Sequence, residues 1–189
     1  MLRAVWSTCA LAGCILCASA SGAAQEVIHA LTGTVSAINP STKTITVFED
    51  NGSKGIFQEM ANPKTRIAFD KRVADESTAV GQFDKSGAYA VVFYYGSIDS
   101  PTVVAVKNLG AGPFSSTVGT VTKIEAHRSI TILDKAGAAH TFKIDKDTVA
   151  EGGFGVVEGE KFSVNKGDQI RVVSSNVGGD PTALFMRDL

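Results

Sequence analysis

Cysteine is almost absent from this 189-residue chain: there are three, Cys9, Cys14 and Cys17, all close to the N-terminus, and the only tryptophan, Trp6, lies beside them. Once that stretch is removed, the chain has no route to disulfides, thiol catalysis or thiolate metal sites, and its stability has to come from packing. An excess of basic charge is also missing, with 18 basic side chains against 19 acidic ones. That balance lacks the electrostatic footprint of a nucleic-acid-binding protein. Beyond the N-terminus no run approaches the roughly 18 uninterrupted apolar residues of a membrane-spanning helix. What remains, 44% apolar and 20% charged residues, is the composition of an ordinary folded domain rather than of a disordered chain.

The N-terminus reads as an export signal. Residues 1–24 carry one charge, Arg3, then an apolar stretch from Ala4 to Cys17, then the small residues Ala18-Ser19-Ala20-Ser21-Gly22-Ala23-Ala24. A positive start, a short apolar centre and an A-x-A-like end are the parts of a secretory signal peptide, which places the processed chain in the periplasm. Cleavage fits after Ala20 or after Ala24, and polar Gln25-Glu26 favours the second. Leu11-Ala12-Gly13-Cys14 offers an alternative, a lipoprotein anchored through Cys14. Against it, few residues precede Cys14 and apolar Ile15-Leu16-Cys17 stands where a polar tether is usual. With Arg3 gone, the 18 basic side chains fall to 17 against 19 acidic ones, a net charge of −2.

The rest of the chain is written twice. Gly33-Thr34-Val35-Ser36-Ala37-Ile38 matches Gly119-Thr120-Val121-Thr122-Lys123-Ile124, and Thr44-Ile45-Thr46-Val47 matches Ser129-Ile130-Thr131-Ile132. Gly52 with Gly137 and Phe57 with Phe142 continue the register, and the segment from Pro101 to Leu109 aligns without gaps to that from Pro181 to Leu189. Matched blocks in one order indicate an internal repeat. The expected organisation is a signal peptide over 1–24, a first unit over 25–109, a linker over 110–116 and a second unit over 117–189.

Each unit reads as β structure. Thr44 to Phe48 and Ser129 to Leu133 alternate apolar and hydroxyl residues with period two, so one strand face packs while the other meets water. Ala88 to Tyr95 and Gln169 to Ser174 supply a further strand, and Thr102 to Asn108 and Thr182 to Arg187 the last. Val35 and Ile38, like Val121 and Ile124, are three apart, so both reach one core only if the strand bends or bulges between them. The best helical candidate, Val73 to Phe83, is short, and the corresponding Glu151 to Glu160 is too glycine-rich to agree. The fold class is therefore all-β, with two tandem five- to six-stranded β-barrels of OB-like type, each with its own buried phenylalanine, Phe57 or Phe142. A single two-layer sandwich made from both halves is the alternative.

The pattern G-T-V-x-x-I, x-I-T-[VI], a glycine turn, a phenylalanine-bearing strand, Lys166-Gly167-Asp168-Gln169-Ile170-Arg171-Val172 and a closing P-T strand resembles a family of small β-barrel domains of unknown function in bacterial exported proteins. The first unit departs from it at Lys85-Ser86-Gly87-Ala88. The resemblance implies a fold and carries almost no chemistry. A weaker one is to the periplasmic metallochaperones of copper and silver efflux, which bind through a histidine, two methionines and a tryptophan; here that region offers Met60 alone.

Candidate chemistry is sparse. His127 and His140 fall opposite Thr42 and Gly55 of the other unit, so neither is shared; across one hairpin they form a weak two-histidine metal candidate that Asp145 or Asp147 would have to complete. His29 is fifth after cleavage at Ala24, too far in for amino-terminal copper chelation. There is no G-x-S-x-G elbow, Asp145-Lys146-Asp147 lacks the remaining calcium-loop ligands, and Gly152-Gly153-Phe154-Gly155 is read as a loop. In Phe93-Tyr94-Tyr95 successive residues point to opposite faces, so Phe93 and Tyr95 are candidates for an exposed partner-binding surface, with packing against the other unit as the competing reading. The charged connection from Asp70 to Asp84 is expected to be a mobile loop beside them. Together these observations point to a non-enzymatic exported binding or scaffold protein of the bacterial cell envelope. It would act on an envelope protein or a small ligand, with no cofactor, no nucleic acid and no membrane span. A periplasmic metal or small-ligand carrier is the alternative.

The mature protein is expected to begin at Ser21 or Gln25 and to carry no lipid. Intact-mass measurement of the native protein decides this, and a diacylated or triacylated Cys14 contradicts it.

Overall fold

In the computed structural model of the protein, residues 25–50, 52–59, 67–97, 99–110, 112–125, 128–176 and 179–189 are described. The leader, its cleavage position and the Cys14 alternative lie outside the described residues, as do Met60 and His127.

The chain is all-β. The N-terminal half contributes β1 (Glu26–Val27), β2 (His29–Asn39), β3 (Thr44–Glu49), β4 (Lys54–Glu59), β5 (Ile67–Ala68), β6 (Tyr89–Tyr95) and β7 (Thr102–Asn108). The C-terminal half contributes β8 (Phe114–Glu125), β9 (Ser129–Asp134), β10 (Ala139–Lys143), β11 (Val149–Gly152), β12 (Gly155–Glu158), β13 (Gln169–Ser175) and β14 (Thr182–Asp188). Among the described residues, helix is confined to α1 (Lys71–Asp75) and to 3-10 turns at Val80–Gln82 and Gly159–Lys161.

Strands β2-β3-β4-β7-β6 close into a barrel. Its pairs are antiparallel except at the closure, where β4 meets β7 in parallel through Gln58 with Thr102 and Glu59 with Val103. Because this ring closes within one half of the chain, a single sandwich drawn from both halves is not the architecture. The C-terminal half forms a seven-stranded sheet in the order β10-β9-β8-β13-β14-β11-β12, and β10 also meets β14 in parallel at Lys143 and Thr182.

The period-two pattern places Ile45, Val47 and Phe57 inside the barrel with no exposed surface, while Phe48 and Ile56 point outward. In the other half Ile130, Ile132 and Phe142 are buried in a core of their own. The expected bulges are present: the β2–β3 register shifts between Val35 and Ala37, and the β8–β9 register between Val121 and Lys123. The extra residue brings Ile38 back to the side of Val35, where it packs against the barrel core, while Ile124 stays 38% exposed. Gly33 and Gly119, inside β2 and β8, are glycine for a steric reason. A Cβ at Gly33 would run into the Phe48 carbonyl oxygen, and one at Gly119 would lie 2.5 Å from that of Leu133.

A third core joins the halves. Ile28, Ala30, Val91, Phe93 and Ala105 pack with Val149, Val156, Val173 and Phe185. This is why β6 is buried on both faces: Val92 and Tyr94 point into the barrel, Val91 and Phe93 into the seam. Equivalent positions meet there with their sizes exchanged, Phe93 and Ala105 on one side against Val173 and Phe185 on the other. The C-terminal half also begins earlier than the expected boundary. β8 starts at Phe114, whose ring stacks on Tyr89 with centroids 4.7 Å apart.

Truncating a buried phenylalanine to alanine costs about 3 to 5 kcal/mol. Phe93→Ala is therefore expected to lower the unfolding temperature of both halves in one transition, because its ring belongs to their shared core. Calorimetry showing two separated transitions would contradict a shared seam.

Candidate functional site

The rim of the seam carries charge on two sides. On the first, the Asp70 side chain accepts from the backbone N–H groups of Arg72 and Val73, capping α1. Val73 anchors this turn in the seam core; Lys161 and Arg72 cross to acids of the other segment, while Lys107 pairs within its own half and reaches across to a backbone carbonyl. Lys161 Nζ donates to Asp70 Oδ2 at 2.9 Å and to Glu158 Oε1 at 2.8 Å, and Arg72 Nη1 donates to Glu158 Oε2 at 3.1 Å. Lys107, 8% exposed, donates to Glu76 Oε2 at 2.6 Å and to the Asp147 carbonyl at 2.8 Å. The Asp70 to Asp84 connection is thus a clamp on the C-terminal half and not the expected mobile loop. Its charges read as loop chemistry in the sequence because their partners lie far along the chain.

The second side is less completely paired. Glu151 ends the buried run Val149-Ala150-Glu151 of β11, which lies parallel to β14, and its side chain is 7% exposed. Oε1 lies 2.9 Å from His29 Nδ1 on β2, while Oε2 is buried without a hydrogen-bond partner. Arg187 Nε stands 3.3 Å from Oε2, an ion pair with no N–H directed along the contact. An acceptor left in this state costs about 1 to 3 kcal/mol, and sites of this kind call for an explanation. His29 also lies against Tyr94, with ring centroids 5.7 Å apart. A cleft of about 260 Å³ opens here, lined by His29, Glu151, Arg187, Asp188 and Leu189 together with Gly152 and Gly153.

The glycines belong to the tight hairpin between β11 and β12. Its base is fixed: a Cβ on Gly155, whose φ is +102°, would approach Val27 and the Ile28 carbonyl to about 3 Å. Its tip is Phe154, 100% exposed, against 61% for Ile56 and 50% for Phe48. A second cleft of about 280 Å³ lies on the other side of the hairpin, between Phe154 and Phe162. The junction thus combines a buried carboxylate oxygen without a hydrogen bond, an imidazole, a guanidinium and a fully exposed aromatic ring.

The residues singled out from the sequence lie elsewhere or play other parts. Phe93 has no exposed surface and Tyr95 is half-buried against the same cluster, so the expected exposed partner surface is corrected to a seam within the chain. Of the metal candidates, His140 Nε2 lies 2.8 Å from Asp134 Oδ2. Asp134 Oδ1 accepts from the backbone N–H groups of Ala136 and Ala138, so His140 braces a hairpin turn. That bond, and then the Ala138 N–H, holds the Asp134 carboxyl below its usual range. His127 lies outside the described residues. No group of three His, Cys, Asp or Glu side chains among the described residues converges as a metal site. Asp145 Oδ1 accepts from Asp147 N and Thr148 Oγ1, forming a turn. The larger cleft of about 640 Å³ beside Arg128, Lys143 and Pro181 has no buried polar atom left unpaired.

Sequence reasoning passed over Glu151, Arg187 and Phe154. The available signals were an acid inside a buried strand and a phenylalanine flanked by glycines. No protein-family model matches the chain, and no curated protein matches it.

The Lys107 hydrogen bond lowers the Glu76 carboxyl below its ordinary value of 4.5. A folded-state value below the unfolded one gives stabilisation that is complete above 4.5 and lost as pH falls through the lowered folded value. Glu76→Gln is expected to be less stable than the wild type at neutral pH, with the difference shrinking on acidification below that value. Denaturation midpoints measured across the acid range test this, and a difference independent of pH would contradict it.

Proposed function

We propose that the chain is an exported, non-enzymatic binding or scaffold protein of the bacterial cell envelope. It would be built as two small barrels in tandem, the second closed where β10 meets β14 and extended by β11 and β12, with its ligand or partner held at the junction. One observation carries this reading: a fully exposed phenylalanine on the β11–β12 hairpin stands beside a cleft lined by His29, Glu151, Arg187 and Asp188. Large apolar side chains presented on a fixed support act as anchors in recognition, because they bury much area while ordering few rotatable bonds. The lack of cysteine in the processed chain and the export signal expected over 1–24 support the compartment. The small-ligand carrier alternative draws on the same cleft, whose wall carries an imidazole, a guanidinium and two carboxylates.

Phe154→Ser removes the ring without touching any core. The variant is expected to melt at the wild-type temperature and to lose components that co-isolate with the wild type from envelope extracts. Full retention of those components by the folded variant would move the binding surface away from the hairpin.

A further inference from the structure

The cleft of about 640 Å³ in the C-terminal half carries charge that the matching place in the other half does not. Lys43 aligns with Arg128, Gln58 with Lys143 and Glu59 with Ile144. The same backbone contacts recur. Glu59 N–H donates to the Lys43 carbonyl at 2.8 Å and Ile144 N–H to that of Arg128 at 2.7 Å, while Gln58 and Lys143 pair in parallel with Thr102 and Thr182. In the first half the cation is met, with Lys43 Nζ 3.7 Å from Glu59 Oε2. In the second half apolar Ile144 replaces that acid and a second cation, Lys143, replaces neutral Gln58. Arg128 and Lys143 are exposed in the cleft wall, and among the described residues neither forms an ion pair or donates a side-chain hydrogen bond. The acids beside them do not cancel this charge. Glu125 accepts from Lys123 Nζ at 2.6 Å and from the Ser129 hydroxyl at 3.3 Å, and its carboxyl is held below the usual range first by Lys123 and only last by Arg128. With Asp180 counted, Lys123, Arg128 and Lys143 face two carboxylates, and one positive charge is left over. Ile144 and Pro181 line the same cleft and supply its apolar part.

We propose that this cleft binds a small organic monocarboxylate. A guanidinium is a planar fork of N–H donors that matches the two oxygens of a carboxylate, and Lys143 adds a point charge. One surplus positive charge is balanced by one carboxylate, whereas a phosphate dianion exceeds it and a neutral alcohol leaves it unbalanced. Ile144 and Pro181 receive the apolar body of the acid, and the cleft is of a size that holds small molecules. It shares no lining residue with the two clefts beside the hairpin, so this site goes beyond the binding reading above and does not depend on it.

The test is titration of the purified protein with sodium hexanoate at constant ionic strength, followed by the backbone amide resonances of Lys143 and Ile144 and by calorimetry. Acetate, hexanol and inorganic phosphate are the comparisons. Hexanoate is expected to shift both resonances saturably, and all three comparisons are expected to bind more weakly, acetate for want of an apolar chain. Arg128→Gln and Lys143→Gln, both exposed changes, are each expected to weaken hexanoate by about threefold to fivefold, as loss of an exposed charged partner does. Lys43→Gln removes the cation that already has its acid and is expected to leave hexanoate binding unchanged, as is Phe154→Ser. Ile144→Glu supplies the acid that the first half has and is expected to abolish binding; if that variant fails to fold, the two glutamine variants decide. Absence of a saturable shift with hexanoate, phosphate or hexanol binding as tightly, or affinity unchanged in both glutamine variants overturns the proposal. An equal loss in Lys43→Gln, which marks general charge attraction without a site, or a loss in Phe154→Ser, which places the acid at the junction, overturns it too. None of these outcomes bears on whether Phe154→Ser strips co-isolated components, so the junction reading is judged separately.

Discussion

The apolar seam between the halves is the constraint on which the rest of the structure depends. A small barrel needs only its inner face to be apolar, yet β6 carries Val91 and Phe93 outward as well as Val92 and Tyr94 inward. Those outward residues would be an exposed patch on a lone barrel, and burial against Val173 and Phe185 removes them from water. The exchange of sizes between equivalent positions lets two similar surfaces interlock where identical ones would clash or leave a gap. Everything on the rim follows from that docking, because it brings β2 to β11 and α1 to β12.

Polar groups drawn in by the seam are handled in two ways. Lys107 is nearly buried and is met by the Glu76 carboxylate and the Asp147 carbonyl, so its charge is both balanced and hydrogen-bonded. Glu151 is equally buried but only one of its oxygens is satisfied. Buried charge is tolerated when its partners are complete, so the incomplete case stands out. It lies on the one side of the seam where the wall is backbone of glycine and not a capped turn. Gly155 packs the base of the hairpin closely against Val27 and Ile28, and the cleft lined by Glu151 lies beside it.

Much of the framework was legible from the chain itself. The alternation in Thr44 to Phe48 and Ser129 to Leu133 assigns a face to each side chain, and β3 and β9 bury those residues accordingly. The three-residue spacing of Val35 and Ile38 demanded a bulge because a regular strand alternates faces every residue, and the register shift supplies it. These features are encoded within a few residues of one another, where backbone geometry leaves few options. The helical candidate Val73 to Phe83 was only partly right: α1 covers Lys71–Asp75, and within the rest only Val80–Gln82 forms a 3-10 turn.

What the chain could not reveal by itself is which outward faces are covered. Phe93 alternates like an exposed residue, and only the docking of β13 and β14 decides that it is core. Glu151 and His29 are 122 positions apart, and Asp70 and Lys161 are 91 apart, so no local pattern couples them. Phe154 reads as part of a glycine loop until the hairpin is seen to hold it fully in water. Sequence periodicity determined strands, turns and the inner faces of the sheets, since those depend on neighbours along the backbone. The junction, with its paired rim, its buried Glu151 and its exposed ring, depends on contacts between distant segments, and tertiary packing alone decided it.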